Sequence, residues 1–64
     1  MYIVAIENEE WFWCASFVNR VEAIRYWRES CIKYPDKYDR FVVLCILPDN
    51  DIVVVKDRAV DAYN

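Results

Sequence analysis

The longest unbroken apolar run in the chain is Phe41 to Leu47, FVVLCIL, rich in β-branched residues and bounded by charge on one side and Pro48 on the other. A run of this kind reads as a strand buried on both faces, which belongs inside a sheet with a neighbour on each side and layers over both surfaces. Met1 to Glu7, MYIVAIE, alternates Tyr2, Val4 and Ile6 with Met1, Ile3 and Ala5, and its β-branched content predicts another strand. The polar cluster Glu7 to Glu10 then breaks the pattern. Asn8 is its residue best able to take a left-handed conformation, which predicts a tight hairpin with glutamates at the tip. Trp11 to Phe17, WFWCASF, is the return strand, with Trp11, Trp13, Ala15 and Phe17 on one face and Phe12, Cys14 and Ser16 on the other.

The period changes after Val18. Asn19 can cap a helix by accepting from first-turn amides, and Glu22 stands where a capping box would close, so the helix starts at Arg20. At 100° per residue, Val21, Ile24, Trp27, Cys31 and Tyr34 form one stripe with Ala23 and Ile32 at its margins, and this stripe is expected to face the sheet. The other side carries Glu22, Arg25, Glu29 and Lys33, with two (i, i+4) ion pairs available among them, worth about 0.2–0.5 kcal/mol each. Tyr26 falls in the middle of that polar face. Arg28 falls within the apolar stripe, where it can run its methylenes along the core and lift its charge to the rim. Pro35 ends the helix at Tyr34.

A third strand is expected from about Tyr38 to Leu47, then a turn at Pro48, Asp49, Asn50 and Asp51, where proline pre-sets the first central position. Ile52 to Lys56 returns as the fourth strand. Two outcomes are open for the tail: Asp57 caps a short final turn through Arg58, Ala59, Val60 and Tyr63, or the segment frays. The pattern therefore predicts a single α+β domain over residues 1–64, in ββαββ order, with a mostly antiparallel four-stranded sheet and one helix on one face. One helix can cover one face only. Phe41 to Leu47, Ile52 to Val55 and Trp11 to Phe17 are apolar on both sides, so the uncovered face is expected to need a partner.

Composition sharpens this picture at three points. With 64 residues the chain buries only about 60% of its unfolded surface, so stability from a monomeric core is expected to be marginal. The three cysteines, Cys14, Cys31 and Cys45, form no CxxC pair, and the chain has no histidine. Structural zinc and a disulfide framework are therefore disfavoured, and buried free thiols in a reducing, cytoplasmic setting are expected. No apolar run approaches a membrane span, and Met1 leads straight into a strand-like segment without the basic region of a signal peptide, so a soluble protein with no membrane partner is expected.

No catalytic, cofactor or metal site is predicted. Without histidine, the Ser/His and Cys/His nucleophile arrangements are excluded. The carboxylates cluster in turns rather than in a cleft that would raise a pKa for acid catalysis. Asp49, Asn50 and Asp51 echo the start of a calcium loop, but the glycine and the closing glutamate are missing. Glycine is absent from the whole chain, which removes the phosphate-cradling loops that depend on it.

Two kinds of partner remain. Aromatic residues are enriched at interface hot spots, and acidic surroundings steer a basic partner, so Trp11, Phe12, Trp13 and Tyr26, with Arg25 and Lys33 as a rim and Glu9 and Glu10 at the acidic tip, form the candidate protein-binding set. The alternative is nucleic acid stacked on Trp11, Phe12 or Trp13 and neutralised by Arg20, Arg25, Arg28 and Lys33. A net charge of −3 and the placement of those cations on the helix count against it. In its size, its lack of glycine and its aromatic richness the chain resembles the small inhibitors that bacteriophages direct at host enzymes or defence systems. That resemblance implies a non-enzymatic protein that binds a larger one, while the strands apolar on both sides lead to the expectation that the helix-free sheet face buries itself against a second copy of the chain, as a homo-oligomer.

Overall fold

The computed structural model describes residues 1–59. They form β1 (Tyr2–Glu7), β2 (Phe12–Phe17), α1 (Arg20–Lys33), β3 (Arg40–Ile46) and β4 (Ile52–Ala59). One antiparallel sheet results, in the order β2-β1-β3-β4. The two hairpins are joined side by side through β1 and β3, whose register sets Val4 against Val43 and Ile6 against Phe41. The FVVLCIL run thus lies inside the sheet. It is fully buried only at its start, at Phe41, Val42 and Val43, while Leu44 to Ile46 are half-buried and Leu47 is exposed.

The turns use their polar side chains. Asn8 is not left-handed. Instead its Oδ1 accepts from the amides of Glu10 (2.8 Å) and Trp11 (2.7 Å) while its Nδ2 donates to the Lys37 carbonyl, tying the first hairpin to the helix–β3 connection. Among the described residues the positive φ belongs to Asn50 (68°). It follows the Leu47–Asn50 turn, closed by Asn50 N–H to the Leu47 carbonyl at 2.9 Å, and so ends a three-residue hairpin loop of the type that needs one left-handed residue. Farther along, the β3–β4 register shifts between Val43 and Leu44, leaving Val55 as a bulge residue.

Asn19 caps α1 as the sequence predicts, accepting from Val21 and Glu22, and Tyr34 is the C-cap. The phase of the helix differs from the expected one. Its inward stripe is Ala23, Tyr26, Trp27, Ser30, Cys31 and Tyr34, whereas Val21 and Ile32 are exposed at 63% and 73%. Relative to the expected stripe this is a rotation of roughly 70° at 100° per residue. Two small residues, Ala23 and Ser30, let the helix backbone approach the sheet, and two large aromatics then fill the space on either side. Both find partners for their polar atoms: Trp13 Nε1 donates to the Tyr26 hydroxyl at 2.9 Å, and Trp27 Nε1 donates to the Phe41 carbonyl at 2.9 Å. Buried area and satisfied indole and phenol groups together outweigh the loss of two aliphatic side chains to solvent. Arg28 lies on the exposed side with Val21 and Ile32, not within the inward stripe.

The cap expected at Asp57 is not formed. Asp57, Arg58 and Ala59 continue β4, and Val60 and Tyr63 lie outside the described residues. Arg40 holds Asp57 through a two-pronged contact, Nε to Oδ1 at 3.3 Å and a second bond at 2.9 Å. That hydrogen bond, reinforced by the carboxylate's charge, raises the pKa of the Arg40 guanidinium. Arg58 points the other way: it donates to the Cys31 carbonyl in the last helical turn at 3.0 Å and lies over the Phe41 ring, a favourable place for a cation at a helix C-terminus. Arg40–Asp57 is the ion pair formed among the described residues, and the expected Arg25–Glu29 and Glu29–Lys33 pairs are not closed.

The inward phase predicts that Tyr26→Ala lowers unfolding free energy by about 2 kcal/mol, while Val21→Ala stays within about 0.5 kcal/mol. Urea denaturation of the two variants checks this. Comparable losses would return Val21 to the core.

Candidate interaction surface

Alternation along each strand decides which face every side chain joins. Helix-side residues are Tyr2, Val4 and Ile6 of β1, Phe41 and Val43 of β3, and Trp13, Ala15 and Phe17 of β2. The other face carries Ile3 and Ala5, Phe12, Cys14 and Ser16, Val42, Leu44 and Ile46, and Ile52 and Val54. It is apolar except at Ser16 and at one end, where Glu7, Arg40 and Asp57 stand together. Its centre is sheltered by its own neighbours, since Ala5 and Val42 are 9% and 8% exposed, and among the described residues no other element covers it. Phe12, Ile52 and Val54 are 66%, 62% and 53% exposed around that centre. Monomeric proteins seldom leave a contiguous apolar patch of this breadth in water.

The structure separates the predicted binding residues instead of gathering them. Phe12 is the only one on the helix-free face. Trp13 and Tyr26 meet on the helix side, where Tyr26 also packs on Phe17 with ring centroids 5.3 Å apart. Together with Ile6, Ser30, Tyr34 and Tyr38 they line a cleft of about 190 Å³. Lys33 sits beside that cleft, its ammonium 5.3 Å from the centroid of the Tyr34 ring. Trp11 is exposed at the foot of the hairpin, and Glu9 and Glu10 line a shallow depression with Asn8 and Asp39. Arg25 lies on the outer side of the helix beside Val21, Ile24 and Ile32.

Sequence reasoning missed Ile3, Leu44, Ile46 and Val54 as individual surface residues, although the alternation of their strands was the signal for them. It also placed all three thiols in the interior, yet Cys14 is exposed on the helix-free face, and Cys31 and Cys45 are half-buried. The cause is the edge position of β2, which leaves Cys14 without a neighbour on one side. Among the described residues no group of three or more Cys, Asp or Glu side chains could hold a metal ion, and no helix is long and apolar enough to cross a membrane.

Comparison of the chain with protein families, with curated proteins and with solved structures finds no match.

Proposed function

We propose that this protein is a non-enzymatic protein-binding module that acts as a homo-oligomer and engages a larger protein through its helix-free sheet face. The observation that supports this is the breadth of that face: ten residues from four strands, of which only Ser16 is polar, with no covering layer among the described residues. Burying such a surface contributes about 25 cal/mol per Å² of apolar area, the gross term that favours association against the freedom lost on binding. The bordering Glu7, Arg40 and Asp57 supply a polar rim at one end, and the acidic hairpin tip favours encounter with a basic surface. Blocking a host or defence enzyme is the use that a domain of this size and style suggests.

Nucleic acid is the weaker reading. Of the three aromatics proposed for stacking only Phe12 faces outward from the open sheet, and Arg40, the cation that the described strands place on that face, is held by Asp57. Arg20, Arg25, Arg28 and Lys33 belong to the helix, on the opposite side of the sheet.

Immobilised protein and its Val54→Asp variant, exposed in parallel to a bacterial lysate, test the proposal. A protein retained by the native chain through high salt and lost from the variant, whose circular dichroism is unchanged, is the expected result. Retention of nucleic acid alone, released as salt rises, would move the assignment to the alternative class.

A further inference from the structure

Among the described residues the sheet has two unpaired edges, β2 and β4, and they are unlike. β4 carries Lys56, Asp57 and Arg58 and is bent by the bulge at Val55, features that discourage strand addition. β2, FWCASF, has no charge, no proline and no bulge, and pairs residue for residue with β1 along its whole length. Ladder parity shows which of its backbone groups are free. Ile46 N–H donates to the Met1 carbonyl and Asp39 N–H to the Glu7 carbonyl, so the odd residues of β1 turn their backbone toward β3. The even ones then turn toward β2, in agreement with the bond from Asn8 N–H to the Trp11 carbonyl. The partners of Tyr2, Val4 and Ile6 are Phe17, Ala15 and Trp13, which leaves the N–H and C=O groups of Phe12, Cys14 and Ser16 pointing outward from the edge.

We infer that a second copy of this chain adds to this edge, β2 against β2 about a two-fold axis at Cys14, giving one eight-stranded sheet. The inference rests on the proposed homo-oligomer and supplies its contact. Three features make β2 self-complementary. An antiparallel dyad at Cys14 pairs Phe12 with Ser16 of the second copy and Cys14 with its own counterpart, so all the outward groups of the strand are satisfied within the strand. The same register sets Trp13 opposite Ala15 and Phe12 opposite Ser16, large against small on both faces. No charged residue lies within the paired strands, and antiparallel pairing carries the two acidic hairpin tips to opposite ends. A dyad on β4 at Asp57 would instead set Asp57 against itself and Lys56 against Arg58, like charge against like on both faces. The two helix-free faces would become continuous across the new pair, doubling the surface offered to a larger protein.

Proline is tolerated on an edge strand where the lost N–H faces solvent, so Ser16→Pro spares the β1–β2 ladder and removes a donor only from the outer edge. Cys14→Lys sets two like charges opposite each other at the dyad and serves as the second variant should the proline disturb folding. Sedimentation equilibrium should give a dimer for the native chain and for Val54→Asp, and a monomer with unchanged circular dichroism for the edge variants. The Cys14 amide should exchange more slowly as native protein concentration rises. A native chain that stays monomeric overturns the inference. So does a dimer that persists in the edge variants with Cys14 exchange independent of concentration, which would mean that copies meet elsewhere. Target capture by the open face is read separately through Val54→Asp, so loss of the dimer and loss of the target are distinguishable.

Discussion

Among the described residues, a single helix of fourteen residues supplies the covering layer, and it lies on one face of the sheet. At 1.5 Å per residue it is about 21 Å long, and with its side chains roughly 10 Å wide, whereas four strands spaced about 4.8 Å apart span more than that width. The helix therefore packs over β2, β1 and β3. The fully buried core lies on that line: Val4, Ile6, Phe41 and Val43 from the two central strands beneath Ala23. Everything else is arranged at its margins. Tyr26 and Phe17 close one side, Trp27 and Val55 the other, and Tyr34 and Tyr38 stack edge to face toward Phe41 at the end.

Because the covering layer is so small, its fit matters more than its hydrophobicity. Ala23 and Ser30 contribute little buried area themselves, but they set the helix close enough for the indole of Trp27 to reach the Phe41 carbonyl. Arg58 then fastens the helix C-terminus to β4, which the helix body does not overlie. The same economy leaves the second face of the sheet without a covering layer among the described residues. Its central residues are sheltered by their neighbours, and Phe12, Ile52 and Val54 at its rim are exposed.

Element order was legible because each signal was local: alternation in Tyr2 to Ile6, the cap at Asn19, the stop at Pro35 and the turn at Pro48. Strand order was not, since the contact of β1 with β3 joins segments separated by the whole helix and leaves no local trace. The helix phase was misread for a definite reason. Val21 and Ile24 look more like core residues than Ala23 and Ser30 do, and a tyrosine among charges looks exposed. The inward face was chosen by close approach and by the Trp13–Tyr26 hydrogen bond, which a helical projection cannot register. Asp57 likewise has the composition of a cap, but its carboxylate was already engaged by Arg40 on the neighbouring strand. The candidate surface was foreseen as a face, from strands apolar on both sides, while its individual residues depended on which side the helix chose.

If a second copy joins the folded chain along β2, thermal stability must depend on concentration, because binding that is specific to the folded state stabilises it by mass action. Calorimetry over a hundredfold range of protein concentration tests this most directly. The midpoint is expected to climb by roughly 5 °C or more. A midpoint that stays constant over that range would contradict the account and show that one helix on one face is enough.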